Sequence, residues 1–353
     1  MEGSMKIAQV SPLFESVPPK YYGGTERVVS YLTEELVRQG HQVTLFASGD
    51  SVTQARLVAA SARALRLDDQ CVDQLAHSIV LIEKVQQQAS AFDVIHFHID
   101  YLHFPLSTRQ HTPHVTTLHG RLDIPDLVPV YQTFPTVPVV SISDDQRTPL
   151  PWLHWRGTVY HGLPPDVYTF RETPGTYLAF LGRVSPEKGL AEAIAIARQV
   201  SMPLKIAAKV DRADEEYFDE VIQPLLDNPL VEYLGEMSEA DKVDFLGQAY
   251  ALLFPINWPE PFGLVMIEAM ACGTPVIAYP RGSVPEVLDD GVTGWIVEGH
   301  EEAVQAVARI PELSRSRCRK VFEERFSAAR MAQDYVRIYQ QLLAETPSGR
   351  AAA

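Results

Sequence analysis

Residues 257–275 read NWPEPFGLVMIEAMACGTP, and this stretch is the strongest indication of the fold. The prolines and the glycine of WPEPFG disfavour regular structure before an apolar run that reaches Cys272. The Gly-Thr-Pro sequence at 273–275 ends that run, so we predict a helix over residues 263–272. Because the predicted helix is apolar on every side, it must be buried.

Glu268 is the only charged residue of that helix, and Glu260 lies eight residues upstream. A buried carboxylate costs several kcal/mol unless a partner binds it. The partner of Glu268 is either a ligand diol or a group within the protein, such as a salt-bridge cation or a loop amide. We expect the backbone N–H groups of Phe262, Gly263 and Leu264 to be free at the helix start. Two carboxylates beside such a helix start predict a site for a ligand with phosphate and hydroxyl groups.

Outward from this stretch, short apolar runs alternate with helical segments along the whole chain. The predicted strands are 6–11, 41–47, 94–98, 115–119, 137–141 and 158–161, then 177–182, 204–208, 231–234, 251–255, 275–278 and 294–297. A polar, proline-containing stretch at 162–175 is interpreted as a linker. The pattern predicts an α/β fold with two successive Rossmann-type halves, each built on a parallel sheet.

The sequence GRVSPEKG at 182–189 follows the first strand of the second half. Ligands of open α/β sheets bind at the carboxyl ends of strands. Arg183 offers a planar fork for phosphate and Lys188 a mobile charge, so together they can neutralise a diphosphate. The alternative is that both are ordinary solvated cations. Lys209, after the next strand, either contacts the nucleotide or is solvated.

The sequence YYGGTE at 21–26 follows the first strand of the chain. Gly23 and Gly24 let the backbone approach a ligand closely before a helix, which Thr25 can cap and Gly40 can end. This loop is a weak indication by itself, since Gly-Gly is also an ordinary turn. It lacks the G-x-G-x-x-G spacing, so we do not expect NAD or FAD.

Six histidines crowd into one segment of the first half, namely His96, His98, His103, His111, His114 and His119. No H-E-x-x-H or C-x-x-C sequence accompanies them, so no metal site is predicted. His119 ends a predicted strand, and a histidine in that place is interpreted as a hydrogen-bond partner or proton carrier. His98 and His103 are interpreted as structural.

The chain has 353 residues with 45 acidic and 30 basic side chains, a formal net charge of −15. That charge disfavours binding to nucleic acid or to an anionic membrane surface. We find neither an apolar run that could span a bilayer nor a signal segment, and we interpret residues 1–4 as a cloning remnant. The three cysteines are widely spaced, which is typical of reduced thiols in a cytoplasmic protein.

These motifs together resemble a known family. EPFGLVMIEAMACGTPV at 260–276 resembles the E-x7-E motif of the family-four retaining glycosyltransferases, and GRVSPEKG resembles that family's phosphate-binding segment. YYGGTERVV, VIHFH, TLHG, SIS and VYHGLP are similar to its N-terminal landmarks and occur in the same order. The resemblance extends from Met5 to about Leu343.

The resemblance implies the GT-B architecture, in which two Rossmann-like domains with parallel sheets face each other across a cleft. It implies an acceptor domain over residues 5–163, to which a C-terminal helix at 328–344 crosses back. It implies a nucleotide-sugar donor domain over residues 164–327. No cofactor and no metal are implied, because the nucleotide-sugar is a co-substrate.

The resemblance also implies the roles of the basic and glycine residues. Arg183 and Lys188 would hold the donor diphosphate and stabilise it as the leaving group. Gly23 and Gly24 would approach the distal phosphate. Many members have a Gly-x-Gly-like turn where this chain has Ile-Ala-Ala-Lys-Val-Asp, which leaves the role of Lys209 open. The base is also open between UDP, GDP and ADP, with UDP as the first choice.

The acidic residues and His119 receive roles from the same resemblance. Glu268 would bind the ribose hydroxyls, and Glu260 the hydroxyls of the transferred sugar. The amides of residues 262–264 would lie beside that sugar, and His119 would line its pocket near the reacting centre.

The function that follows is transfer of a hexose-type sugar, with retention of configuration, to an acceptor that the sequence does not identify. The acidic N-terminal half favours a soluble acceptor over a membrane lipid, and the oligomeric state is not predicted. Two alternatives remain, a nucleotide-sugar-binding protein without turnover and a nucleotide-sugar 2-epimerase on the same architecture.

Overall fold

The structure of the protein is a computed structural model that describes residues 3–345. The described chain divides into two compact units, of which the first contains residues 3–162 and 328–345 and the second contains residues 163–327. Residues 1 and 2 of the segment interpreted as a cloning remnant lie outside the described residues. Each unit is an α/β structure with its own parallel sheet.

The sheet of the first unit has seven parallel strands in the order β3-β2-β1-β4-β5-β6-β7. The strands are β1 Lys6–Val10, β2 Gln42–Ser48, β3 Arg56–Ser61, β4 Val94–Phe97, β5 His114–Thr117, β6 Val139–Ser141 and β7 Trp155–Thr158. The helices are α1 Gly24–Arg38, α2 Gln74–Gln86, α3 Phe104–Ser107 and α4 Leu127–Thr133. The central strands are buried because helices cover both faces of a parallel sheet.

The sheet of the second unit has six parallel strands in the order β10-β9-β8-β11-β12-β13. The strands are β8 Tyr177–Val184, β9 Leu204–Val210, β10 Val231–Gly235, β11 Ala249–Phe254, β12 Val276–Ala278 and β13 Gly294–Ile296. The helices are α5 Leu190–Gln199, α6 Glu215–Tyr217, α7 Glu239–Gly247, α8 Leu264–Ala271, α9 Val284–Val287, α10 His300–Arg309 and α11 Arg315–Arg325. Leu178, Ile206 and Leu253 lie at the centre of its core.

The last helix, α12 Ala328–Glu345, belongs to the first unit, where it packs against α1. Its apolar face is buried, and two of its buried side chains, Tyr335 and Tyr339, reach polar groups of the sheet. The second half of the chain therefore contributes an element to the core of the first unit.

Four expectations about local structure were wrong. The edge strand β3 was not predicted, and four of its six residues are exposed or only half-buried. Strand β7 begins three residues before the predicted 158–161. Thr25 does not cap α1, because the helix already begins at Gly24 with Gly23 at its N-cap. The stretch interpreted as a linker packs into the second unit, where Tyr168 is only 1% exposed.

Candidate active site

Helix α8 is the central element of the candidate site in the second unit, and its first turn depends on glycine. Gly263 has φ +78°, a left-handed conformation, and a Cβ there would lie 2.7 Å from the Met266 Cε atom. The N–H groups of Gly263 and Leu264 have no hydrogen-bond partner within residues 3–345. The Phe262 carbonyl accepts a hydrogen bond from Ser283 Oγ at 2.8 Å, which holds the chain just before the helix. The helix start can therefore donate two N–H groups to a ligand.

Glu268 has a partner inside the protein. Its Oε1 atom lies 2.6 Å from Lys242 Nζ of helix α7 and 3.3 Å from the Tyr168 hydroxyl. The same hydroxyl lies closer, at 2.8 Å, to a carboxylate oxygen of Glu239. Glu268 is 3% exposed, so this is a buried ion pair. Its Oε2 atom accepts no hydrogen bond from the described residues.

Glu260 is held in a similar way at the start of the same segment. Its Oε2 atom forms an ion pair with Lys188 and accepts a hydrogen bond from Trp258 Nε1 at 2.9 Å. The Lys188 ammonium also lies 4.7 Å from the centre of the Trp258 ring. Gly189, which follows Lys188, has φ +74°, and a Cβ there would lie 2.1 Å from the Pro255 carbonyl oxygen. Only glycine therefore allows the backbone after Lys188 to pass this close to Pro255. The Oε1 atom of Glu260 has no partner in the described chain.

Arg183 and Lys209 lie side by side on neighbouring strands, because β8 and β9 pair them in register. Arg183 forms a 2.6 Å ion pair with Glu187 and lies within 4 Å of Asp211 and Asp214. Lys209 is 2.6 Å from Asp211. Arg183, which was expected to bind the diphosphate, and its neighbour Lys209 are therefore neutralised by three carboxylates in this structure.

The pKa values of two of these carboxyls reflect that crowding. Partial burial raises the pKa of Glu187, but its own backbone N–H and the charge and hydrogen bond of Arg183 lower it below its ordinary value. The pKa of Asp214 is raised, because partial burial and repulsion by Glu187 and Asp211 outweigh the attraction of Arg183.

The first unit contains a cavity of about 340 Å³ whose lining includes Thr25, Asp100 and His119. The remaining wall is largely apolar, with Phe14 and Leu102 among its residues. Thr25 is adjacent to Gly24, so the cavity lies beside both the Gly-Gly loop and His119. The cavity brings together two of the predicted landmarks of the first half.

Two residues of this unit were missed by sequence reasoning. Asp100 follows β4 with φ +49° and lines the cavity beside His119. Burial raises the pKa of Glu26 to about 7 in the first turn of α1. The signal for Asp100 was its place at the carboxyl end of a parallel strand, where ligands of such sheets bind.

The structure places His96, His98 and His103 in the interior, whereas His114 is half-buried and His111 is exposed. His103 is fully buried, and both of its ring nitrogens have partners, Ser107 and Thr116, each at 2.8 Å. Within residues 3–345, no three His, Cys, Asp or Glu side chains are grouped so that they could hold a metal ion.

Known protein families match both units. The family described as Glycosyltransferase Family 4 matches residues 22–157, and the family described as Glycosyl transferases group 1 matches residues 169–327. The chain belongs to glycosyltransferase family 4. The family-four resemblance read from the motifs is thereby confirmed.

Characterised relatives of this family-four protein differ in how much of it they match. Alpha-maltose-1-phosphate synthase of Mycolicibacterium smegmatis is 31% identical over 47% of this chain and 48% of its own length. The chain thus spans about half the length of that relative. Phosphatidyl-myo-inositol mannosyltransferase of the same organism is 27% identical over 98% of this chain and 95% of its own.

Solved structures show the same fold. The Anabaena protein HepE in complex with UDP and glucose aligns with 96% of this chain and 100% of its own, with a TM-score of 0.75 and 19% identity. The prediction of two Rossmann-like parallel sheets of the GT-B class is confirmed. In the part of the family-four chain that the structure describes, no helix has both the length and the apolar character to cross a membrane.

Proposed function

We propose that this protein is a retaining glycosyltransferase that moves a hexose-type sugar from a nucleotide-sugar donor to a separate acceptor. The proposed donor is a UDP-sugar. The observation that carries the proposal is the start of helix α8. There, two unpaired N–H groups lie next to Glu260, a carboxylate with one engaged oxygen. Membership of family 4 supports the reaction class, and the complex of HepE with UDP and glucose supports UDP.

The two carboxylates suit hydroxyl groups rather than a nucleophilic role. Glu260 and Glu268 each use one oxygen for a lysine and keep the other without a partner in the described residues. In our proposal the open oxygen of Glu260 accepts hydrogen bonds from the transferred sugar, and that of Glu268 from the ribose. Each lysine orients its carboxylate while the ligand is absent.

The diphosphate is assigned to Arg183 and Lys188, with Lys209 beside them. A diphosphate offers Arg183 two adjacent phosphate charges that its planar guanidinium can bind together, whereas each carboxylate around it now offers one. Binding then consists of an exchange, in which phosphate oxygens replace Glu187, Asp211 and Asp214 at the guanidinium. The same fixed charges stabilise the leaving group as its bond to the sugar breaks.

The proposed reaction takes place on one face of the sugar. The bond between the anomeric carbon and the phosphate oxygen breaks while the acceptor oxygen bonds to that carbon from the same side. The departing phosphate oxygen takes the proton of the acceptor hydroxyl, so configuration is retained and no side chain acts as nucleophile. Glycoside hydrolases differ, since their two carboxylates flank the scissile bond.

The acceptor is assigned to the first unit. Its cavity of about 340 Å³ suits a small molecule, which agrees with the expectation of a soluble acceptor. His119 lines that cavity and is assigned to the sugar pocket, with Gly23 and Gly24 assigned to the distal phosphate.

Cys71, Cys272 and Cys318 are free thiols, which supports a reducing compartment such as the cytoplasm.

Product analysis tests this proposal. With UDP-glucose and a panel of small hydroxylated acceptors, we expect UDP to be released together with an α-linked product, and EDTA to leave the rate nearly unchanged. Glucose would then keep its anomeric configuration, which proton NMR of the product reports. Binding of UDP-glucose without any release of UDP would favour the binding-protein alternative. Solvent deuterium entering C2 of the sugar would favour the epimerase.

Asp214→Asn tests the exchange at Arg183. The substitution removes one negative charge that the diphosphate must displace, so we expect UDP to bind about threefold more tightly. Calorimetric titration measures the change, and the gain should shrink at high salt. Asp219→Asn changes the same charge at an exposed position and serves as the control. Equal or weaker binding by Asp214→Asn would contradict the assignment of Arg183 to the diphosphate.

A further inference from the structure

A chain of polar side chains crosses the interior of the first unit from helix α12 to His119. The hydrogen bonds are Gln9 Nε2 to Tyr339 OH at 3.1 Å, His98 Nε2 to Gln9 Oε1 at 2.8 Å, and His119 Nε2 to His98 Nδ1 at 2.9 Å. We call these four residues the histidine relay. Gln9, His98 and Tyr339 are at most 2% exposed, so water does not compete for their hydrogen bonds.

A second branch anchors the far end of the relay. The Tyr339 hydroxyl also contacts His96 Nδ1 at 2.7 Å, and His96 Nε2 contacts Thr117 Oγ1 at 2.7 Å. Thr117 Oγ1 in turn lies 2.9 Å from the Tyr335 hydroxyl. Tyr339 is therefore hydrogen-bonded to residues of β1 and β4, and Tyr335 is hydrogen-bonded to a residue of β5. These bonds fix the position of the Tyr339 oxygen.

Both histidines of the relay are neutral. Burial lowers the pKa of His98 well below its ordinary value, and the neighbouring His96, His119 and His161 lower it further. Burial lowers the pKa of His119 to about 3. A neutral imidazole carries one N–H and one lone pair, so each ring donates from one nitrogen and accepts at the other.

The direction of the hydrogen bonds follows from Gln9. Its amide nitrogen donates to Tyr339, so its carbonyl oxygen faces His98 and accepts from His98 Nε2–H. His98 Nδ1 then carries the lone pair, and the bond to His119 must be donated by His119 Nε2–H. His119 Nδ1 is left with a lone pair, and this buried atom has no hydrogen-bond partner within residues 3–345.

The reversed direction is less favourable. If the Gln9 amide turned over, every donor and acceptor along the relay would change places, and His119 Nδ1 would carry a hydrogen without an acceptor. Buried N–H groups without a partner are rarer in proteins than buried acceptors without one, because the unmet donor costs more. The empty protein therefore prefers the arrangement with the lone pair at Nδ1.

We propose that the histidine relay holds His119 as the Nε2–H tautomer, so that Nδ1 presents a lone pair to a hydroxyl group of the ligand. Gln9, His98 and Tyr339 are then positioning residues that act through His119. A neutral lone pair attracts a donor such as a hydroxyl and repels phosphate or carboxylate oxygens, so the atom selects a hydrogen-bond donor over an anion. The identity of that group as the sugar rests on the proposed function, whereas the tautomer does not.

The tautomer is measured by two-bond ¹H–¹⁵N NMR of the full chain labelled at histidine, without ligand. The signal of His119 is assigned by its loss in His119→Gln. We expect the Nε2–H form to exceed the Nδ1–H form by about tenfold or more, with no change between pH 6 and pH 8. A wild-type protein in which His119 is mainly Nδ1–H, or an even mixture, would overturn the proposal.

Two variants test the relay itself. In Tyr339→Phe and in Gln9→Leu, either direction of the hydrogen bonds leaves one N–H unpaired, so the preference should disappear and both tautomers of His119 should be visible. Tyr335→Phe is the matched control. It removes an equally buried hydroxyl of helix α12 that bonds Thr117 and is not part of the relay, so His119 should keep its single tautomer. A single Nε2–H form in Tyr339→Phe or Gln9→Leu would refute the relay, even with the wild type as expected.

A binding measurement separates the ligand assignment from the proposed function. We expect Tyr339→Phe to weaken UDP-glucose binding by about threefold while leaving UDP binding unchanged, since only the sugar meets His119. Equal weakening of both ligands would contradict the sugar assignment. If the wild type binds neither UDP nor UDP-glucose, the proposed function fails, and the tautomer measurement still decides on the relay.

Discussion

Arg183→Ala and Lys188→Ala should each lower kcat/KM for UDP-sugar transfer by about 10²- to 10³-fold, the usual effect of removing one fixed group that stabilises developing charge. The leaving diphosphate gains negative charge as its bond to the sugar breaks, and these two cations are assigned to it. Steady-state kinetics with UDP-glucose and an acceptor found in the panel measure the effect.

The two variants differ in what they do to the empty protein. Arg183 is 33% exposed and surrounded by an excess of carboxylates, so its removal should leave the fold intact. Lys188→Ala leaves the Glu260 carboxylate, 11% exposed, without its cation. We therefore compare Lys188→Ala/Glu260→Gln with Glu260→Gln, because both lack the Glu260 charge and only the double variant also lacks the cation at the phosphate.

Lys205→Ala provides the matched control. Lys205 lies on the same strand as Lys209 but at its other end, where it pairs with Glu232 at 3.2 Å. Lys205→Ala should retain the wild-type kcat/KM. A wild-type rate in Arg183→Ala and in the Lys188 variants would show that neither cation acts on the leaving group.

Lys242→Met should lower the free energy of unfolding by about 3–5 kcal/mol, which is the usual result of removing one partner from a buried ion pair. Glu268 is 3% exposed, and without Lys242 its remaining contact is the Tyr168 hydroxyl, which also serves Glu239. The double variant Lys242→Met/Glu268→Leu should recover much of the loss, because it leaves no unpaired charge in the interior. Urea unfolding of the wild type, Lys242→Met, Glu268→Leu and the double variant measures the coupling energy between Lys242 and Glu268.

Glu268→Gln separates the structural role of that carboxylate from a role in binding. If its open oxygen accepts from the ribose, UDP should bind about tenfold to a hundredfold more weakly, since a charge-assisted hydrogen bond is lost. Glu232→Gln, at a half-exposed ion pair of the same unit, should leave UDP binding unchanged. Unchanged affinity in Glu268→Gln, together with a large loss of stability, would show that Glu268 is a structural carboxylate paired with Lys242.

The sequence by itself was sufficient for the fold class. Short runs rich in β-branched and aromatic residues, such as VIHF at 94–97, are buried on both sides, and their alternation with helices predicts parallel sheets without knowledge of any partner. The helix over 264–271 was predictable for the same reason, since its glycine and proline neighbours act locally. Strand β3 was not predictable in this way, because an edge strand is half exposed and its pattern is weak.

The pairing of the charged residues was decided only by the tertiary structure. The composition of the helix indicates that Glu268 needs a partner, but Lys242 lies 26 residues away on another helix. The same holds for Lys188 and Glu260, which are 72 residues apart, and for the carboxylates around Arg183. Packing of separate elements determines which charges meet, and no local pattern encodes that distance.

The environment of His119 depends on the fold most of all. Its place after β5 and its potential for hydrogen bonding follow from local sequence. In our proposal its tautomer is set by Gln9 in β1, by His98 just after β4 and by Tyr339 in the last helix. Tyr339 lies 330 residues beyond Gln9 along the chain. A local pattern determines which residues can form strands and helices, but the direction of a hydrogen bond inside the protein is determined by every group in the chain of contacts.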